Sequence, residues 1–63
     1  MFKVCAVDTK GVTIKFAFIE DLICADAFAA GLHTQYLCDV FVNYVQLFSH
    51  LTPGVRLYPG VVD

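Results

Sequence analysis

Charge is what this sequence has least of. Charged side chains make up 16% of its 63 residues, against about 25% in an average soluble domain. A short chain has proportionally more surface than a long one and should carry more charge, so the deficit implies that some apolar surface stays outside the core. The cations are Lys3, Lys10, Lys15 and Arg56, and the net charge is −2. Nucleic-acid binding normally draws on a stripe of Lys and Arg against phosphates. Four scattered cations argue against it, and the acidic excess is too small for a nucleic-acid mimic.

Paired cysteines are also lacking. Cys5, Cys24 and Cys38 form an odd set with no CxxC spacing, so neither a secreted disulfide scaffold nor a zinc ribbon is indicated. They read as small buried hydrophobes of a protein kept in a reducing, cytoplasmic compartment. The opening MFKVCAVDTKG meets charge before any long apolar run, unlike a signal peptide. A membrane span wants about 20 apolar residues. The best stretch, 36–51, is broken by Asp39, Asn43, Gln46 and His50, which argues against a membrane protein.

Catalytic signatures are missing as well. There is no phosphate loop and no dinucleotide glycine fingerprint. His33 and His50, joined with Cys24, Cys38 or Asp39, match no metal-ligand spacing. Ser49, the one serine, adjoins His50, but neighbours on a helix point about 100° apart. A Cys38–His50 pair would need the fold to bring the two together. Glu20, Asp21, Asp26 and Asp39 are more simply caps and solvated groups. No catalytic residue, metal site or cofactor is assigned, and the reading is non-enzymatic.

What is present is apolar: hydrophobic residues are 59% of the chain, above the usual 45–50%. Residues 2–7 and 12–19 are rich in β-branched and aromatic types, and Asp8-Thr9-Lys10-Gly11 between them fits a type I turn followed by a left-handed glycine. That turn predicts a hairpin over 2–19 with Val7 opposite Thr13 and Cys5 opposite Lys15. One face would then carry Phe2, Val4, Ala6, Val12, Ile14, Phe16 and Phe18, and a slip of one residue would put Phe16 and Phe18 in water. Lys3 and Lys15 would share the other face, where two lysines suggest edge protection or, as a weaker reading, an anion contact.

Glu20-Asp21 suits a helix start, and 21–30 with its four alanines, ending at Gly31, reads as a short helix. In 35–50, composition favours a strand and periodicity a helix. Gln35, Asp39, Asn43, Gln46 and His50 fall within an arc of about 80° at helical spacing. The spacing predicts a second helix with Thr34 as its N-cap. One flank of it would carry Tyr36, Val40, Tyr44, Leu47 and Leu51, more apolar surface than one sheet can cover, and these five are the expected partner or dimer interface. Thr52-Pro53-Gly54 reads as a turn, 55–58 as a short third strand, Pro59-Gly60 as its end, and Val61-Val62-Asp63 as a tail.

The expected architecture is therefore one small α+β domain over 1–63, in the order ββααβ, its two helices packed on one face of a small antiparallel or mixed sheet. The expected function is a protein-interaction module that self-associates as a homodimer or binds another protein, in the manner of a small regulator or inhibitor; short motif-free chains of this kind are common in phages and mobile elements. The alternatives are nucleic-acid binding through the basic hairpin and membrane association through helix 36–51.

Overall fold

A computed structural model describes residues 1–58. It is an α+β structure in the order β1 (Phe2–Val7), β2 (Thr13–Ile19), α1 (Leu22–Tyr36), β3 (Asp39–Val42), β4 (Val45–Phe48). The four strands form one antiparallel sheet ordered β2-β1-β3-β4, with α1 lying mainly over β1 and β3. Expectation and structure differ in element count: one helix and four strands replace two helices and three strands.

The first turn forms as its residues predict. Gly11 N–H donates to Asp8 O (3.0 Å) and Asp8 N–H to Val12 O (2.9 Å). The Asp8 carboxylate accepts from the Lys10 and Val12 amides, and Gly11 takes φ 83°, which glycine adopts without steric cost. Val7 pairs with Thr13, but the register then shifts. Ala6 pairs with Lys15, Cys5 with Phe16, Val4 with Ala17, Lys3 with Phe18 and Phe2 with Ile19. The bulge places an extra residue, Ile14, in β2 and reverses the facing of every side chain after it. Ala17 and Ile19, not Phe16 and Phe18, therefore share the helix side with Val4 and Ala6. The space under α1 accounts for this. The helix approaches through Ala25 and Ala29 onto Val4, Ala6, Val40 and Val42, and so close a helix–sheet contact has little room for two more phenyl rings.

The helix starts where its acids predict. Asp21 is the N-cap, and its carboxylate accepts from the Cys24 amide at 2.9 Å. It does not stop at Gly31. Ending there would leave Leu32 and His33 out of the core, where both are buried; that burial outweighs the roughly 1 kcal/mol that glycine costs inside a helix. Thr34, expected to cap a second helix, instead donates its hydroxyl to Ala30 O within α1. The helix ends at Leu37, whose left-handed backbone (φ 52°) lets its N–H reach His33 O.

The second helix is absent because 39–48 forms a hairpin. Asn43 and Tyr44, at φ 49° and 67°, make a two-residue turn between the partners Val42 and Val45, the left-handed geometry that matches strand twist. The Asn43 side chain accepts the Lys3 amide (2.9 Å) and its own N–H donates to Lys3 O (2.9 Å), tying this turn to β1. The helical spacing of the polar residues has five separate origins: a helix end, a strand start, a turn, a strand and a loop. In place of a third strand at 55–58 there is one bridge, Phe48 to Arg56, with Leu57 N–H donating to Leu47 O (2.8 Å). The expected break at Pro59-Gly60 and tail at Val61-Val62-Asp63 lie outside the described residues.

Beneath the loop that follows β4, His33 is buried and stacks on Phe48 with centroids 4.6 Å apart. Its Nε2 accepts the Gly54 amide and its Nδ1 meets Cys38 O, each at 2.9 Å. The amide can only donate and the carbonyl only accept, so the ring is held in the Nδ1–H tautomer. Arg56 lies over Phe48 and forms a forked pair with Asp26.

Candidate functional site

The helix covers one face of the sheet and leaves the other open. Strand alternation and the β2 bulge decide what stands there. From β1 come Lys3, Cys5 and Val7; from β2, Thr13, Phe16 and Phe18; from β3, Phe41; from the second turn, Tyr44. Phe16 and Phe18 are each 58% exposed and Tyr44 83%. The Phe16 and Phe18 rings meet edge to face at 6.1 Å, and the Lys3 ammonium sits 5.3 Å from the Tyr44 ring centre. Two adjoining shallow depressions, about 320 and 270 Å³, share Lys3, Cys5 and Thr13 as lining. Lys3 is the one charged group lining either depression, so the surface suits apolar and aromatic contact.

The expected interface residues do not form a patch. Val40 and Leu47 are fully buried in the core. Tyr36 is at the helix end, Tyr44 in the turn of β3–β4, and Leu51 is exposed in the loop after β4. The flank that grouped them belonged to a helix that does not form; only Tyr44 reaches the open face. The possible anion pair is separated too. Lys3 pairs with Phe18 and faces the open side, while Lys15 pairs with Ala6, whose side chain is in the core. The bulge therefore sends the two lysines to opposite faces. Phe16, Phe18 and Phe41 were missed as surface residues. The signal that marks Phe16 and Phe18 is the size mismatch between phenylalanines in β2 and alanines in the helix; Phe41 follows only once 39–42 is known to be a strand.

The remaining reactive side chains are held in structural contacts. Asp39 Oδ1 accepts from the His50 backbone amide and meets its ring Nδ1, both at 2.8 Å. Burial acts to raise the Asp39 pKa, but these hydrogen bonds and the adjacent histidine charge outweigh it and hold the carboxyl below its ordinary value. The Ser49 hydroxyl accepts the Leu51 amide, while the His50 ring meets Asp39. Cys38 is buried, with its thiol toward Leu32 O rather than His50, and burial pushes that thiol up. Cys24 is also raised, by its hydrogen bond to the Asp21 carboxylate and then by that charge. Both shifts run opposite to what an activated thiolate requires. Among the described residues no group of three or more His, Cys, Asp or Glu converges on a metal position, and no helix is long and apolar enough to cross a membrane.

Fold and site together define a class: a ββαββ domain with one helix-covered face and one uncovered aromatic face. No known family model, curated protein or solved structure matches the chain.

Proposed function

We propose that this protein is a non-enzymatic interaction module that self-associates, and that it acts by binding, as small regulators and inhibitors do. The supporting observation is the exposure of Phe16 and Phe18, two phenylalanines at 58% each on the edge strand of the sheet. Burying a phenylalanine side chain is favourable by about 1.5–3 kcal/mol, a large gain for a chain this short to forgo. Lys3 beside Tyr44 leaves such a surface only lightly charged, in keeping with the apolar centre of protein interfaces. Three free thiols, Cys5, Cys24 and Cys38, suit a reducing, cytoplasmic setting.

Light scattering on the wild type and on a Phe16→Ser/Phe18→Ser double variant tests the reading. The wild type is expected to associate at tens of micromolar and the double variant to remain monomeric while folded, since both rings already stand in solvent within one copy. A wild-type monomer at those concentrations contradicts it.

A second reading, single-stranded nucleic-acid binding, draws support from Lys3 lying among Phe18, Phe16 and Tyr44, since bases stack on aromatic rings beside a cation. The separation of Lys15 from Lys3 and the net charge of −2 weigh against it. A salt-dependent gel shift with a mixed-sequence oligonucleotide decides it. Membrane association through a helix over 36–51 has lost its element and is not carried further.

A further inference from the structure

The two edges of the sheet are treated differently by the chain. Outside β4, the segment through Arg56 and Leu57 covers the end of the edge: Phe48 bridges Arg56, and Leu57 N–H donates to Leu47 O. Outside β2, nothing among the described residues pairs, and the helix stays mainly over β1 and β3.

The register shows which backbone groups that open edge presents. Lys3 directs both its N–H and its C=O away from β2, to the Asn43 side chain and the Asn43 amide. In an antiparallel ladder a residue that bonds one neighbour on both groups forms a non-hydrogen-bonded pair with the other. The pair Lys3–Phe18 is therefore not hydrogen-bonded, and by alternation neither is Cys5–Phe16. Phe16 and Phe18 consequently point their N–H and C=O outward: four backbone groups, two residues apart, on a stretch with no proline, no glycine and no charge. Sheet proteins ordinarily protect such an edge. Here the bulge at Ile14 and the charge of Lys15 protect only the start of the strand.

We propose that the β2 edge is the self-association surface, and that a second copy of this chain pairs with it, antiparallel, about a two-fold axis at Ala17. The inference rests on the self-association proposed above and adds its location and register. Registers that use the outward groups place the axis at residue 15, 16, 17, 18 or 19. An axis at Lys15 sets the two lysines face to face. An axis at Phe16 requires the bulged Ile14 to pair with Phe18; axes at Phe18 and Ile19 require Glu20, beyond the strand, to pair with Phe16 and Phe18 in turn. An axis at Ala17 pairs Phe16 with Phe18 of the second copy, twice. It uses all four outward groups of each chain and brings four phenyl rings into one row on the open face. Lys15 then lies opposite Ile19 of the second copy, one and two residues from Glu20 and Asp21, so the single cation of β2 is set near the partner's acids. The result is a continuous eight-stranded sheet, with the Leu47–Phe48 end of each β4 edge covered by its own chain.

Amide hydrogen exchange, read residue by residue on the whole protein at about 100 µM and after hundredfold dilution, tests the pairing. Phe16 and Phe18 should be protected at the higher concentration and lose protection on dilution, while Ala17, which bonds β1, stays protected in both. Lys15→Glu and Phe16→Pro should each weaken the dimer at least about tenfold. Neither removes a hydrogen bond within one copy, and circular dichroism checks that each folds. Phe41→Ser, which changes the open face away from the edge, should leave the dimer intact. A dimer lost in Phe41→Ser, unaffected by Lys15→Glu and leaving the Phe16 and Phe18 amides unprotected at the higher concentration means stacking through the open faces, where Phe16→Pro also removes a ring; it overturns the edge assignment and leaves self-association standing. A monomer at about 100 µM overturns both.

Discussion

Tyr44 sits where a side chain is least welcome. Its φ of 67° follows the 49° of Asn43 in a two-residue turn, and the second position of such turns favours glycine. Asparagine tolerates the left-handed region through its short polar side chain, and here that side chain also caps Lys3 N–H. Tyr44 has no such compensation beyond its contact with the Lys3 ammonium. Tyr44→Gly is expected to raise the unfolding free energy by about 1 kcal/mol in urea titrations, with Asn43 still holding β1. Asp39 sets a pH dependence. Its carboxyl titrates below its ordinary 3.8 in the folded chain, so the folded state favours the carboxylate. The stabilisation is complete above that pH and is lost as the pH falls through 3.8 toward the folded value. Melting temperature followed from neutral pH down through this window should decline, and Asp39→Asn should start lower and decline less.

The elements show what local sequence carries and what it does not. The Asp8–Gly11 turn was legible because four adjacent residues determine it, and the Asp21 cap for the same reason. The bulge at Ile14 was not: it depends on how much room α1 leaves above β2, and the helix and strand that decide this are far apart in sequence. The helix length was hidden by Gly31, a helix terminator in isolation but an interior residue once Leu32 and His33 have a core to enter. The β3–β4 hairpin was masked because Asn43 counted as one of a set of polar residues at helical spacing, while the β-branched composition of 40–45 pointed correctly to strand. Of the expected interface, Tyr44 alone reached the open face, since the other four were grouped by a periodicity that the fold does not use. Gly31 offers the test at this scale. It lies inside α1 with nothing within 4 Å of where a Cβ would stand. Gly31→Ala is expected to stabilise the protein by about 0.5–1 kcal/mol, read as a shifted urea midpoint with unchanged slope.

At the scale of the molecule, the low charge and high apolar content resolve into a small core and a second apolar surface. The core joins small side chains where the helix meets the sheet, such as Val4, Ala6, Ala25, Ala29 and Val40, with Leu32, Leu47 and Phe48. Three further large side chains, Phe16, Phe18 and Tyr44, stand on the side the helix does not reach. A short chain that buries little of its own surface gains stability by association, and the exposed rings and the open β2 edge are on the same strand. Folding and association should therefore be coupled, with a melting temperature that rises with protein concentration. The most direct measurement is the solution mass of the wild-type chain across a dilution series. The account predicts twice the 7.0 kDa of one chain at tens of micromolar, falling toward 7.0 kDa on dilution. A constant 7.0 kDa throughout, with the same melting temperature at every concentration, would contradict it.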